Sequence, residues 1–349
     1  MKNSLSTENL PELLDLMTAY QRSRVLFSLV ELEIPKILSE KKLTLFELAE
    51  RKNIHPLAME RFLSASVSIG LLEKTKKLYS NTQWTDDFLV PGKEFYLGGQ
   101  IERQQKRSYP IWERLTKHLK SWEYGSSKKA IPETEDQGAE AMAEQHKLAF
   151  LQGLALAEAF DFSKYKQILD LGGGTGAMSI ALCKTYPNLK SIIFDLPENA
   201  ETARKFIAQN NLDKQIRIVS GDFKKDPLPE NFDAVLLANF MSVADKKENQ
   251  KLLQKLYKKL PLNGVCLLSG WIIDNSLLSP QISVLFCLED ICWDAPDVER
   301  SEMVYSEWLK TAGFEDINCR MYFEPTKMLY GFKKDRSAKA SSGSRNGRE

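Results

Sequence analysis

A run of four glycines within five residues constrains this chain more than any other feature. Gly172, Gly173, Gly174 and Gly176 follow a short apolar stretch, and a helix-forming segment, Ala177 to Thr185, comes directly after them. This order predicts a strand, a tight turn and a helix. Glycines let the backbone approach a ligand closely and adopt positive φ without strain. The stretch therefore predicts a βαβ unit that opens on a ligand.

Two acidic residues narrow the choice of ligand. Asp195 ends the next apolar run, 19 positions after Gly176 (195 − 176 = 19), where an acid commonly binds ribose hydroxyls. The segment from Gly172 to Ala177 also satisfies the loose dinucleotide fingerprint. Asp170 at the strand tip would repel a pyrophosphate, but it can pair with the ammonium group of S-adenosylmethionine (SAM). These acids favour SAM over a dinucleotide, and over a glycine turn that binds nothing.

Three segments, ILDLGGGTG, FDLP and GDFKKDPLPENFDAVLLANF, resemble the SAM-dependent small-molecule O-methyltransferases. That family includes plant phenolic and acetylserotonin enzymes and bacterial pigment and antibiotic tailoring enzymes, and the similarity covers most of the chain. The resemblance implies that SAM is the cofactor, with its methionine part at the glycine loop, its ribose at Asp195 and its adenine flanked by Asp222 and Phe223. No metal site is predicted. The predicted cofactor-binding residues are Asp170, Gly172, Gly173, Gly174, Gly176, Asp195, Leu196, Asp222, Phe223 and Asn239.

The order of strand and helix signals after Lys166 predicts an α/β fold. Alternation of this kind implies a mostly parallel sheet with helices on both faces, here a Rossmann-like class I methyltransferase domain. At 349 residues the chain is long enough for two domains. The expected divisions are an N-terminal dimerisation domain (1–105), linking helices that form part of the pocket (106–160), the SAM-binding methyltransferase domain (161–335) and a disordered tail (336–349).

The N-terminal part predicts helices followed by a winged-helix module. Apolar residues recur at helical spacing from Leu10 to Leu38, and Thr44 with Glu47 forms a capping-box pattern before a helix, a turn, a second helix and two short strands. The second helix, Pro56 to Ile69, offers only Arg61 as a cation, so no nucleic-acid partner is predicted. The resembled family joins two subunits through such a module, which implies a homodimer.

Composition excludes other classes of partner. The formal net charge is +1, which gives no reason to expect a nucleic acid or an anionic membrane surface. The five cysteines form no CxxC pair, and neither a signal core nor a run of about 20 apolar residues occurs. We therefore expect a cytoplasmic protein with no membrane partner, acting on a small-molecule acceptor.

The chain departs from the resembled family where the catalytic base is expected. Phenolic members place a histidine after the fourth strand, because methyl transfer to oxygen needs an anionic nucleophile. Here the stretch reads LLANFMSVADKKEN, and the histidine position falls on Ser242, whose unperturbed hydroxyl is no base near pH 7. A second family acid falls near Gly270 and is absent. The segment DVERS resembles the family's G-x-E-R-[ST] pattern, with Asp297 replacing the glycine, and it retains Glu299 and Arg300.

Other titratable groups are candidates to replace the base. His146 lies on a predicted helix that leads into the glycine loop, and Asp290 and Asp294 are spaced to share one helix face in the segment expected to roof the substrate cavity. Burial there would raise an aspartate's pKa, although a solvated acidic face is the alternative. The candidate catalytic residues are Glu299, Asp290, His146 and Ser242.

Three explanations for the missing histidine stay open. Another group replaces the base; the acceptor atom is a carbon, a nitrogen or an already acidic oxygen; or SAM serves chemistry other than methyl transfer. The stretch LLANFMSVAD is more like relatives that methylate a ring carbon of bacteriochlorophyll, which favours the second explanation. The predicted function is SAM-dependent methylation of a small aromatic or conjugated metabolite. The alternatives are a SAM-binding homologue with other chemistry and a non-catalytic winged-helix regulator or structural dimer.

Overall fold

The computed structural model describes residues 9–122, 135–293 and 300–335, the side chains of 135–144 excepted. The chain divides into two compact units, Met1–Pro110 and Ile111–Glu349, close to the boundary predicted at residue 105. The predicted candidates Asp294 and Glu299 lie outside the described residues, as does the segment 336–349, predicted to be a disordered tail. No helix in the described part of the chain is long and apolar enough to cross a bilayer.

The first unit is helical with a small antiparallel sheet. Its elements are α1 (Leu10–Glu31), α2 (Ile34–Glu40), β1 (Leu43–Thr44), α3 (Leu45–Lys52), α4 (Pro56–Ser68), β2 (Leu72–Thr75), β3 (Leu78–Asn81), α5 (Gln83–Leu89) and α6 (Gly98–Arg103). A π-helical turn (Gln104–Ser108) and the short helix α7 (Tyr109–Trp112) lead to the second unit. Helices α3 and α4 precede the β2–β3 hairpin, and the strands pair in the order β1-β3-β2. The predicted winged helix is confirmed.

Local signals in the sequence account for this unit. The Thr44 hydroxyl accepts a hydrogen bond from the Glu47 amide at 3.4 Å, and Glu47 Oε2 accepts one from the Thr44 amide at 2.7 Å, which completes the capping box at the start of α3. The hydrophobic core centres on fully buried Leu29, Leu48 and Met59. In contrast, the first half of α1 exposes its large apolar side chains, Leu10, Leu13, Leu14, Leu16, Met17 and Tyr20.

The second unit alternates helices and strands. Its elements are α8 (Leu115–Ser121), α9 (Glu135–Ala159), β4 (Gln167–Leu171), α10 (Ala177–Thr185), β5 (Lys190–Asp195), α11 (Ala200–Gln209), β6 (Ile216–Ser220), β7 (Ala234–Ala238), α12 (Lys246–Lys259), β8 (Val265–Gly270), α13 (Gln281–Cys292), α14 (Glu302–Ala312), β9 (Glu315–Phe323) and β10 (Thr326–Phe332). Sequence reasoning found all of these strands and most of the helices, but it did not identify α11 or α14.

Among the described residues, seven strands form one sheet in the order β6-β5-β4-β7-β8-β10-β9. The first five are parallel, and β10 and β9 add two antiparallel strands at one edge. The strand order reverses between β4 and β7, and ligands of such sheets bind at the carboxyl edge near that reversal. The Rossmann-like fold predicted from the sequence is confirmed.

The centre of the sheet is buried on both faces. Strands β7 and β8 carry continuous apolar runs, as parallel strands covered by helices do. Gly153 lets α9 pack closely on α10, since a Cβ there would lie 2.6 Å from the Cβ of Ala181. The helix leading into the glycine loop therefore packs directly against the helix that follows the loop.

Candidate functional site

The glycine loop connects β4 to α10 at the carboxyl edge of the sheet. Gly172, Gly174 and Gly176 have φ of +72°, +54° and +76°. This left-handed conformation is unfavourable for residues other than glycine. A Cβ on Gly176 would also lie 2.7 Å from Cδ1 of Ile193. Thr175 is the one residue of the loop with a side chain, and it is buried. The loop is thus a backbone surface held in a conformation that only glycine adopts easily.

Asp195 ends the neighbouring strand β5 and holds this loop. Its Oδ2 accepts a hydrogen bond from the Gly174 amide at 2.6 Å. Its Oδ1 accepts from the Leu196 amide and from Asn199 Nδ2, both at 2.7 Å. The carboxylate is half-buried. The structure therefore brings the predicted ribose acid and the predicted methionine loop into direct contact.

Asp170 lies beneath the loop and is buried. Its Oδ2 accepts a hydrogen bond from the Ser179 hydroxyl at 2.6 Å, and Ser179 lies 2.7 Å from the Ser191 hydroxyl. Oδ1 has no hydrogen-bond partner in the described part of the chain. The pKa of this carboxyl is raised to about 6, chiefly by burial; the Ser179 hydrogen bond lowers it and the charge of Asp195 raises it, and the value of about 6 includes both effects.

The predicted adenine side lies after β6. Asp222 Oδ1 accepts a hydrogen bond from the Lys224 amide at 2.9 Å, and this bond is the largest cause that lowers the pKa of Asp222. Phe223 is half-buried and meets Phe240 edge to face, with centroids 5.1 Å apart. Asn239 directly follows β7 and is exposed. It has a φ of +51°, and its backbone N–H donates a hydrogen bond to the Ser269 carbonyl oxygen at 2.8 Å.

Ser242 lies in the turn after β7, and its side chain is half-buried. The turn is fixed by Asn249 of α12, whose buried Nδ2 donates to Met241 O at 2.9 Å and to Ala244 O at 3.0 Å. No hydrogen bond joins the Ser242 hydroxyl to a basic side chain among the described residues. The turn that carries the histidine in the resembled family is thus held in place by Asn249, and within the described ranges no basic side chain hydrogen-bonds to its serine.

All three histidines of the chain are placed by the structure. His55 caps α4 by accepting a hydrogen bond from the Leu57 amide at Nδ1, at 3.2 Å. His118 lies on α8, which packs against α13. His146, on α9, is buried with Nδ1 2.8 Å from the Thr175 hydroxyl, and its pKa is lowered to about 4, chiefly by burial and then by the charge of Lys147.

The segment predicted to roof the substrate cavity forms α13, which contacts the residue that follows β8. Phe286 of α13 meets Trp271, the residue after β8, with ring centroids 4.4 Å apart. The Arg300 guanidinium lies 5.4 Å from the Phe286 centroid and its Nη2 is 2.6 Å from Asp290 Oδ2. The pKa of Asp290 is raised to about 6, chiefly by burial. The Arg300 charge lowers this pKa, and the charge of Glu289 raises it. Because Asp290 pairs with Arg300, it is not the solvated acidic face considered above.

Sequence reasoning missed three groups of this region. Ser179 hydrogen-bonds to Asp170, and Ser191 hydrogen-bonds to Ser179. In the sequence, the sign of this arrangement is a hydroxyl residue within each of two otherwise apolar elements. Glu289 is 8% exposed, and its two oxygens accept hydrogen bonds from the indole N–H groups of Trp112 and Trp293, both at 3.0 Å. No local pattern marks this last arrangement, because Trp112 is 177 residues away from Glu289.

The fold and the loop geometry together define a class I methyltransferase: a seven-stranded sheet with a glycine turn after one strand and an acid at the end of the next. The sequence profiles of the O-methyltransferase domain and the O-methyltransferase dimerisation domain match residues 111–315 and 14–91. The chain therefore belongs to the O-methyltransferase family, and it is a SAM-dependent methyltransferase.

Individual relatives agree with this assignment. The chain is 30% identical to the tetracenomycin polyketide synthesis 8-O-methyl transferase TcmO of Streptomyces glaucescens, over 92% of this chain and 96% of that protein. It is 33% identical to the N,N-dimethyltransferase OxyT of Streptomyces rimosus, over 72% of this chain and 75% of that protein. Human N-acetylserotonin methyltransferase in complex with SAM has the same fold, with a TM-score of 0.82, 24% identity and coverage of 96% of this chain and 100% of that chain.

The residues present fit SAM as the cofactor. Gly172, Gly173 and Gly174 are partly exposed and carry no side chain that would fill the space. A Cβ on Gly173 would lie 2.8 Å from the Asp170 carboxyl carbon. The unpartnered Oδ1 of Asp170 is an acceptor that suits an ammonium donor. When bound, SAM supplies a methyl group made electrophilic by its positively charged sulfur.

Proposed function

We propose that this enzyme methylates a ring carbon, a nitrogen or an already acidic oxygen of a small aromatic or conjugated metabolite. The observation that carries the proposal is the turn after β7, where half-buried Ser242 stands without a basic partner among the described residues. A serine in this state does not remove a proton at pH 7. This turn therefore suits an acceptor that attacks the methyl group without first losing a proton to Ser242.

The proposed cofactor contacts follow the geometry of the loop. Backbone groups of Gly172, Gly173, Gly174 and Gly176 line the methionine part, the Asp170 carboxylate accepts from the ammonium, and Asp195 accepts from the ribose. Asp195 already receives three protein hydrogen bonds that fix its orientation, so little reorganisation is needed. Leu196, Asp222, Phe223 and Asn239 follow the ends of β5, β6 and β7 at the same edge of the sheet, and we assign them to the adenosine side.

Aromatic side chains support a planar acceptor. Trp271 and Phe286 are both half-buried, and they meet at the end of β8 beside the ion pair of Asp290 and Arg300. Flat apolar rings of this kind favour aromatic ligands through stacked or edge-to-face contact. The names of two relatives support oxygen and nitrogen as acceptor atoms. TcmO is an 8-O-methyl transferase of polyketide synthesis, and OxyT is an N,N-dimethyltransferase.

The chemical step needs few groups from the protein. The acceptor atom forms a bond to the methyl carbon while the carbon–sulfur bond breaks, the sulfur keeps the electron pair, and S-adenosylhomocysteine leaves. Any proton on the acceptor passes to water, or to a carboxylate such as Asp290 or Glu299. Holding the acceptor in line with the methyl carbon is the main contribution that the enzyme makes.

The test is methyl transfer from SAM to a panel of matched acceptors, a hydroxynaphthoate, an aminonaphthoate and a 1,3-dicarbonyl, with the methylated atom identified by mass spectrometry and NMR. Ser242→Ala should lose less than about tenfold in kcat, because it removes only a hydroxyl and stays below the roughly 10²–10⁴-fold range of acid–base catalysis. Asp290→Asn and Glu299→Gln should cost more.

Two results would overturn the proposal. One is a Ser242→Ala enzyme that binds SAM normally but has lost nearly all activity while the Asp290 and Glu299 variants stay active. The other is exclusive methylation of unactivated hydroxyl groups in the panel. Failure to methylate any acceptor in the panel, with SAM still bound, would overturn the proposed classes of acceptor.

A further inference from the structure

The glycine loop has one side chain by which the rest of the protein can hold it. Positions 172, 173, 174 and 176 are glycine, and three of the four adopt left-handed φ. Glycines lose more conformational freedom on ordering than any other residue, so such a loop needs external contacts to keep one conformation. The exception is Thr175, which is 6% exposed and points its hydroxyl into the protein.

His146 of α9 is the residue that contacts this hydroxyl. Its Nδ1 lies 2.8 Å from Thr175 Oγ1, and the imidazole is 5% exposed. Its ring stacks on Phe206 of α11, with centroids 3.6 Å apart and planes inclined by 10°. Helix α11 begins one residue after Asn199, which donates a hydrogen bond to Asp195. The imidazole thus joins α9, the glycine loop and the helix that follows the ribose acid.

The same contacts make His146 unsuited to proton transfer. Nδ1 is engaged with Thr175, and the face of the ring is covered by Phe206. Burial lowers the pKa of the imidazole to about 4, well below the range in which a general base is effective near pH 7. The sequence had suggested His146 as a replacement base; its surroundings favour a different task.

We infer that His146 is a positioning residue of the cofactor site, which acts through Thr175 to hold the glycine loop in its SAM-binding conformation. The inference rests on the proposed SAM contacts of that loop. It assigns the residue an effect on cofactor affinity, with no part in the chemical step.

A double-mutant cycle separates positioning from catalysis. His146→Phe retains a ring to stack on Phe206 but loses the hydrogen bond, and Thr175→Val retains the volume of the threonine but loses its hydroxyl. Each single variant should weaken SAM binding by about three- to tenfold, the range expected for one hydrogen bond. The double variant should bind SAM no more weakly than the single variant with the lower affinity, because both changes remove the same interaction. Calorimetry with SAM and with S-adenosylhomocysteine measures these affinities.

Three controls make the cycle specific. Thr175→Ser keeps the hydroxyl and should bind SAM within about twofold of the wild type, which is below the loss of a hydrogen bond. His55→Asn replaces a histidine at the start of α4 with another good cap and should leave affinity unchanged. Thermal unfolding without ligand should give the same non-additive pattern, which provides a readout that needs neither SAM nor turnover.

The outcomes distinguish this inference from the proposed function. Unchanged SAM affinity in His146→Phe, or strictly additive losses in the double variant, would overturn it. So would a kcat at saturating SAM that falls by about 10²-fold or more in His146→Phe but not in Thr175→Val, since that is the signature of a base. A wild-type chain that binds no SAM would overturn the cofactor assignment itself.

Discussion

Asp170 and His146 illustrate how burial shifts the pKa values of an acid and a base in opposite directions. Burial disfavours the charged form of each group, so the pKa of Asp170 rises to about 6 and that of His146 falls to about 4. Near neutral pH the carboxyl is ionised and the imidazole is neutral. The space beneath the glycine loop therefore carries a negative charge at the strand tip, which matches the ammonium group of SAM.

The first prediction is that SAM affinity depends on the protonation of Asp170. As the pH falls through the raised pKa of about 6, the carboxylate that we propose attracts the ammonium group is neutralised. If the ionised form alone binds, the apparent Kd rises by roughly tenfold between pH 7 and pH 5. Calorimetric titrations at several pH values measure this change.

Other groups near Asp170 set the limits of that experiment. Ser179 lowers its pKa and the charge of Asp195 raises it, while His146 titrates only near pH 4 and so stays neutral over the tested range. Asp170→Asn should bind more weakly at pH 7 and show a flat profile. If the Kd of the wild type and of the variant change in parallel with pH, the pH dependence arises from a group other than Asp170.

A second prediction concerns the contact between Asp195 and Gly174. Asp195→Ala removes the proposed ribose acceptor together with the hydrogen bond that holds the Gly174 amide. Gly174→Val places a branched side chain at a φ of +54°, which is strained for such a residue. Each should weaken SAM binding by roughly 1–3 kcal/mol. Wild-type affinity by calorimetry in both variants would contradict the cofactor site described above.

At the scale of elements, Glu289 connects the end of α13 to the segment that begins at Ile111. Its carboxylate accepts one indole N–H from Trp112 and one from Trp293. The buried carboxylate has a donor for each oxygen, an arrangement that fixes both rings. Because Phe286 of α13 contacts Trp271, a shift of α13 would change the surface next to Trp271.

The third prediction is that Glu289→Gln destabilises this region. The amide oxygen can accept from one indole, but the amide NH₂ would face the other N–H, so about 1–2 kcal/mol of unfolding free energy should be lost. Tryptophan fluorescence during chemical unfolding measures the change. Glu307→Gln, at an exposed glutamate, is the matched control. Equal stability of both variants would mean that the indole contacts contribute little.

Elements were predictable to the extent that their signals are local. The capping box of Thr44 and Glu47 marked α3, and the glycines after Leu171 marked the turn before α10, because these signals lie within a few residues. Helices α11 and α14 were missed although Ala203 and Ile207 are spaced as a buried helix face. The helical periodicity of α11 is therefore present in the sequence, beside the more conspicuous glycine-loop signal.

The pairing of distant side chains was not predictable in the same way. Nothing near His146 in the sequence indicates that its ring reaches Thr175, 29 residues on, or stacks on Phe206. The sequence did indicate which strands end in functional residues, since the carboxyl ends of parallel strands share one edge of a sheet. It could not tell that Asp290 pairs with Arg300, because tertiary packing alone brings them together.

At the scale of the whole molecule, α1 carries the strongest sign of assembly. Its first half exposes large apolar side chains, with Leu16 at 74% and Met17 at 62%, within the region that matches the dimerisation domain. A surface of this kind on a family dimerisation domain is expected to be covered by a second copy. Obligate interfaces bury on the order of 2,000 Å² or more.

The fourth prediction is a homodimer that depends on this surface. Light scattering at micromolar concentration should give twice the mass of the chain. Leu16→Glu should shift the population toward monomer, because it places a charge in an apolar interface. Leu262→Glu changes a leucine that is 54% exposed in the second unit, and the dimer should persist. A monomeric wild type would refute the prediction.

The position of β10 has a consequence for how the chain is made. Strand β10 is inserted between β8 and β9, although it is the last of the three to be synthesised. Until Thr326–Phe332 leaves the ribosome, the backbone of β8, with its apolar run Val265–Leu268, has an unpaired edge, and such edges recruit other chains. A stop codon after Pro325 should therefore produce aggregates, whereas one after Asp335 retains β10 and should leave solubility unchanged. Folding of this sheet is completed only after Phe332 has left the ribosome.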